Sequence, residues 1–103
     1  IHNGVVYLAG QIALDPTTGA LVQGGIAEQT EQVLKNLAAV LRASSSSPDQ
    51  ILMTTIFLSE IANSKVVNER YSKFVNVSSP PARQTVAVKD LPLGALVEIS
   101  VIA

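Results

Sequence analysis

The chain has 103 residues, 48% of them hydrophobic, and its seven basic residues against eight acidic ones leave a net charge of -1. That length and apolar content suit one domain with a real core, and the charge balance leaves no electrostatic footprint for a polyanion, so nucleic acid is a poor partner. There is no cysteine, and the single histidine, His2, stands at the chain end; disulfides, thiolate chemistry and the usual zinc sites are excluded, and no metal is expected.

No run approaches the roughly 18 to 20 apolar residues of a membrane helix. The expectation is a soluble protein of the cytoplasm or a mitochondrion, with no membrane partner. Because the sequence opens on Ile1 and enters a strand almost at once, it reads as cut or processed at its N-terminus.

Val5 to Leu14 is rich in β-branched and aliphatic residues and ends at Asp15-Pro16-Thr17-Thr18-Gly19, a turn cluster. Ala20-Leu21-Val22 is expected to return as a short strand. After Gly24-Gly25 the period changes: Ile26, Thr30, Val33, Leu34, Leu37, Val40 and Leu41 recur at three and four residues, which predicts an amphipathic helix over 26–43. Ser44 to Asp49 is a short connection, because serines compete with helical hydrogen bonds and Pro48 cannot continue the helix.

Ile51 to Leu58 reads as a strand buried on both faces. Asn63 or Ser64 can cap a second helix over 65–74, with Val67, Tyr71 and Phe74 as its apolar stripe and the two aromatics read as core. Val77 to Pro81 is extended loop, and two strands close the chain. The order β-β-α-β-α-β-β predicts an α+β domain: a single mixed sheet with both helices on one face. Strands 51–58 and 96–102 are too apolar for the other face to be wetted, so subunits in a closed cyclic assembly are expected to cover it.

Within those last two strands lie two isolated charges. Arg83 sits in Pro81 to Val88 and Glu98 in Ala95 to Ile102, with only Lys89 to Gly94 between the runs. A charge inside a buried strand costs roughly several kcal/mol unless a partner or ligand compensates it, so both are candidate site residues. Arginine's planar fork binds a carboxylate bidentately; the competing reading of Arg83 is an interface salt bridge. A carboxyl group in a partly desolvated cleft can place water and relay protons; the competing reading of Glu98 is a solvent-facing glutamate on a strand edge.

Several elements together resemble the reactive-intermediate deaminases, which hydrolyse enamines and imines derived from amino acids. The matching residues are Ala9-Gly10-Gln11-Ile12 with the Asp15 to Gly19 turn, Gln29 to Leu37, Val67-Asn68-Glu69-Arg70-Tyr71, Pro81-Ala82-Arg83, Leu91-Pro92-Leu93-Gly94 and Val97-Glu98-Ile99. Each is weak alone; their ordered sum over the whole chain carries the resemblance.

The resemblance implies a chorismate-mutase-like fold over 1–103, in a homotrimer whose clefts between subunits hold the active sites. It also implies that another strand lies between those of Arg83 and Glu98. By the same resemblance Arg83 grips the carboxylate of a 2-imino or 2-enamino acid, Glu98 positions the attacking water, and Gly10, Asn68 and the backbone N–H of Thr85 line the substrate site. For Gly10 ordinary strand flexibility or a bulge is the alternative, and for Asn68 a solvated helix face. Thr85 stands where many relatives carry cysteine.

The implied reaction converts 2-aminoacrylate, its tautomer 2-iminopropanoate, or 2-iminobutanoate into 2-keto acids and ammonia. No cofactor is required; pyridoxal-phosphate enzymes would supply the imines. The sequence departs from the family in starting after the segment that carries a cleft tyrosine, and in having Ala9 where serine is common. A non-catalytic trimer that senses small carboxylates, or acts as a regulator or chaperone-like partner, is the alternative of a different class. Translation inhibition or ribonuclease activity is disfavoured by the acidic balance.

Overall fold

Helix formation by the 26–43 segment sets the frame of the molecule. The computed structural model describes residues 1–103, and places α1 at Ile26–Ala43, as its apolar period predicts. At its start Glu28 reaches back to accept the Gly25 N–H at 2.8 Å, placing an acid where the helix dipole favours it. A Cβ on Gly24, whose φ is +114°, would lie 2.6 Å from the Glu28 side chain, so this cap needs glycine there. At its end Ser45 takes a left-handed φ of 62° while Ser46 N–H reaches Leu41 C=O and Ser45 N–H reaches Arg42 C=O, the Schellman pattern with serine in the glycine position.

The remaining elements are β1 (Tyr7–Gln11), β2 (Met53–Leu58), α2 (Ser64–Phe74), β3 (Ala82–Ala87) and β4 (Val97–Ile102). They form one mixed sheet in the order β1-β4-β2-β3. β4 runs antiparallel to both neighbours, whereas β2 and β3 are parallel and joined through α2, since parallel strands need a crossover. Both helices pack on one sheet face, where Val33, Leu37, Leu41, Val67 and Tyr71 meet Ile56, Leu58, Val97, Ile99 and Val101 in a single buried cluster. Polar groups fasten this layer: Gln29 Oε1 accepts the Leu96 N–H at 2.8 Å, and Asn36 Nδ2 donates to the carbonyls of Leu14 at 2.9 Å and Ile12 at 3.3 Å.

Three expectations need correcting. Ala20-Leu21-Val22 is not a strand of the sheet; it makes one bridge, Leu21 to Leu14. β1 leaves its ladder through an irregularity between Leu8 and Gln11, and the chain then bends as Leu14 N–H reaches Ile12 C=O at 2.8 Å, so the returning arm finds no sheet edge to extend. The order is therefore β-α-β-α-β-β.

Second, β2 is buried on one face only: Thr54, Ile56 and Leu58 are inside, while Met53 is exposed and Thr55 and Phe57 are half-buried. Third, the run around Arg83 is not buried within the chain. β3 is an edge strand, paired on one side and exposed along most of its length. No helix is long and apolar enough to cross a membrane.

Candidate active site

The register sorts the predicted site residues between the two faces of the sheet. Arg83 lies opposite Thr54 and Thr85 opposite Ile56; both partners are buried, so these residues stand on the helix side. Glu98 lies opposite Phe57, in the row of half-buried residues on the uncovered side. β2 separates their strands, as the resemblance implied.

On the helix side, Arg83 Nη1 donates to Asn68 Oδ1 at 2.6 Å. Its guanidinium carbon sits 5.2 Å from the centroid of the Tyr71 ring, within cation–π range. Asn68 is thus engaged with Arg83 rather than merely solvated. The chain's one ion pair joins Arg70 to Glu31 at 3.4 Å, so Arg83 has no carboxylate partner within the chain. An open hollow of about 300 Å³ adjoins it, walled by Asn68, Tyr71, Ser72, Val77 and Pro81.

The backbone N–H of Thr85 faces outward from the sheet. Ala82 N–H reaches Leu52 C=O at 3.1 Å and Val88 N–H reaches Leu58 C=O at 2.8 Å, so the even-numbered residues of β3 bond to β2. Strand alternation then turns the N–H groups of Arg83, Thr85 and Ala87 toward the open edge.

On the uncovered side, Gly10 and Glu98 touch. A Cβ on Gly10 would lie 2.8 Å from both Cδ and Oε1 of Glu98, so the bare backbone of β1 is the bed on which the carboxylate lies. Glu98 is on an inner strand rather than a strand edge, and it is half-buried on the uncovered face. Around it the uncovered face is apolar and mixed, with Tyr7 59% and Val86 42% exposed.

Arg83 and Glu98 therefore cannot meet within one chain. They are two strands and three residues out of register on opposite faces, roughly 14 Å apart along the sheet by standard spacings. A slightly larger hollow of about 320 Å³, around Glu28, Glu31, Gln32, Lys35 and Arg70, contains none of the predicted residues. No three His, Cys, Asp or Glu side chains gather as a metal site.

Sequence reasoning assigned Tyr71 to the core, and it is buried, but its ring also supports Arg83. Its phenol donates to Thr54 Oγ1 at 2.9 Å. Burial pushes its pKa above the usual tyrosine value, while the Thr54 hydrogen bond and the Arg83 charge pull the other way. The available signal was spacing: Tyr71 follows Asn68 by three residues, so both share one face of α2.

Two helices on one face of a mixed four-stranded sheet define an α+β fold class. Within it, the family model described as Endoribonuclease L-PSP matches residues 1–103. The chain belongs to this family, the reactive-intermediate-deaminase type.

Among its relatives is "Reactive Intermediate Deaminase A, chloroplastic" of Arabidopsis thaliana, 45% identical over 101 residues, covering 98% of this chain and 54% of that protein. The chain thus spans about half the length of that relative. The human protein named 2-iminobutanoate/2-iminopropanoate deaminase is 39% identical over 98 residues, covering 95% of this chain and 71% of its own. Among solved structures, the Yersinia pestis protein YyfA, described as a protein of unknown function of the conserved Rid family, superposes with a TM-score of 0.96 at 50% identity. That match covers 100% of this chain and 82% of YyfA.

Proposed function

We propose that the chain hydrolyses 2-imino acids, among them 2-iminopropanoate and 2-iminobutanoate, and their enamine tautomers to 2-keto acids and ammonia. The observation that carries this is the Arg83 guanidinium, held on one side by Asn68 and Tyr71 while no carboxylate of its own chain neutralises it. Such a fork, with the outward N–H of Thr85 on the same strand, suits the carboxylate that every 2-imino acid retains. Relatives named as deaminases support the reaction class.

The division of Arg83 and Glu98 between sheet faces supports a site completed by a neighbouring copy. We assign that copy to a homotrimer, in which the edge of one protomer's β3 faces the uncovered sheet of the next. The exposed apolar residues of that sheet favour such cover.

In the joined cleft Arg83 fixes the substrate carboxylate, and the Glu98 carboxyl orients a water toward the imine carbon. The new C–O bond forms as the C=N pair moves to nitrogen; nitrogen takes up protons and leaves as ammonia, and the C=O closes. Orientation plus modest proton transfer suffices for a substrate already prone to hydrolyse. Imines released by pyridoxal-phosphate enzymes would be met in the cytoplasm or a mitochondrion.

The test couples a threonine dehydratase reaction to release of ammonia and keto acid. The chain should accelerate release beyond the spontaneous rate, and Arg83→Ala should abolish that acceleration while leaving the assembly folded. Full turnover in Arg83→Ala would overturn the assignment.

A further inference from the structure

Arg83 extends from an exposed edge strand, where a long side chain sweeps through many rotamers unless something holds it. Its hydrogen bond to Asn68 pins one end of the fork, but a single bond leaves the plane of the guanidinium free to turn. The Tyr71 ring, 5.2 Å from the guanidinium carbon, supplies the missing restraint, because a planar cation over an aromatic face is held in tilt as well as position.

A ring can do this only if it is itself fixed. Tyr71 is 5% exposed and its hydroxyl donates to Thr54 Oγ1 at 2.9 Å; Thr54 is fully buried and lies directly across from Arg83 in the β2–β3 register. The contacts close a ring: from Arg83 across the sheet to Thr54, up to Tyr71 on α2, and back to Arg83. A tyrosine phenol is protonated at neutral pH and burial raises its pKa further, so it is a donor to Thr54.

We propose that Tyr71, anchored by Thr54, is a positioning residue that fixes the plane of the Arg83 fork so that the donors Asn68 does not use face the ligand's carboxylate. This rests on the proposed reading of Arg83 as the carboxylate clamp. The Thr54 hydroxyl hydrogen-bonds Tyr71 while the guanidinium bonds Asn68, so an effect of that hydroxyl on ligand affinity is carried by Tyr71.

The test uses the whole chain with Thr54→Val, Thr54→Ser and Tyr71→Phe, and two readouts. One is the NMR signal of the Arg83 Nε–H group, its ring-current shift and its order. The other is the Kd for 2-oxobutanoate as probe, measured beside KM and kcat. Thr54→Val and Tyr71→Phe should loosen the Arg83 signal and raise Kd and KM about three- to fivefold, the scale of a cation–π contact. The kcat should change less than about twofold, since a carboxylate clamp acts mainly on binding. Thr54→Ser should restore both readouts.

A purely structural role would lower the active fraction and leave KM in place. Thr54→Val with native Arg83 order and native Kd would overturn the inference; should that variant fail to fold, Tyr71→Phe carries the same test. If the native chain binds 2-oxobutanoate but releases no ammonia, the deaminase reading falls while the positioning inference is still decided by Kd and NMR.

Discussion

The two faces of the sheet prepare their charges differently. On the helix side Arg83 is gripped within its own protomer by Asn68 and Tyr71, although it stands on the most exposed strand. On the uncovered side Glu98 sits on an inner strand and is only cradled, by the bare backbone of Gly10. The group proposed for binding is thus pre-ordered by the chain, whereas the group proposed for chemistry depends on whatever covers that face. Affinity and turnover should therefore respond to different substitutions.

The largest expected effect separates them directly. Glu98→Gln should lower kcat about a hundredfold, the low end for loss of acid–base assistance, while Kd for 2-oxobutanoate stays within about twofold. If the proposed shared site holds, mixing this variant with an equal amount of Arg83→Ala and reassembling the chains should recover about a quarter of native activity, since only that fraction of sites pairs an intact Arg83 with an intact Glu98. No recovery would mean that the two groups do not cooperate across a boundary.

A smaller change comes from Gly10→Ala, whose Cβ would press on the Glu98 carboxyl at 2.8 Å. The carboxyl is the far end of a flexible side chain and can shift, so kcat should fall roughly tenfold without unfolding, on the scale of a displaced catalytic group. Native kcat in that variant would release Glu98 from its assigned place.

The smallest effect lies away from both faces. Ser45→Gly relieves a left-handed serine at the end of α1 and should raise stability by about 0.5 to 1 kcal/mol in denaturant unfolding, with kcat/KM unchanged.

Much of this was legible in the residues. The α1 period was read to its ends because a regular apolar stripe runs between two glycines at its start and a serine run before Pro48 at its end, and Arg83 and Glu98 stood out as charges in apolar runs. What failed was long-range. Whether Leu21 joins the sheet depends on an irregularity in β1 rather than on the turn that precedes it, and the apolar residues of β3 do not by themselves tell an edge strand from a buried one. Tyr71 was read as core because burial and support of a neighbouring cation leave the same mark on a helix stripe. Only the pairing of Thr54 with Arg83 across β2 and β3 distinguishes them.

Because one thin sheet carries the clamp on its front and the carboxyl on its back, the proposed site gives every protomer two half-shares and no whole one. Under that arrangement specific activity is a function of concentration: dilution below the assembly threshold silences the chain without unfolding it, and crowding revives it.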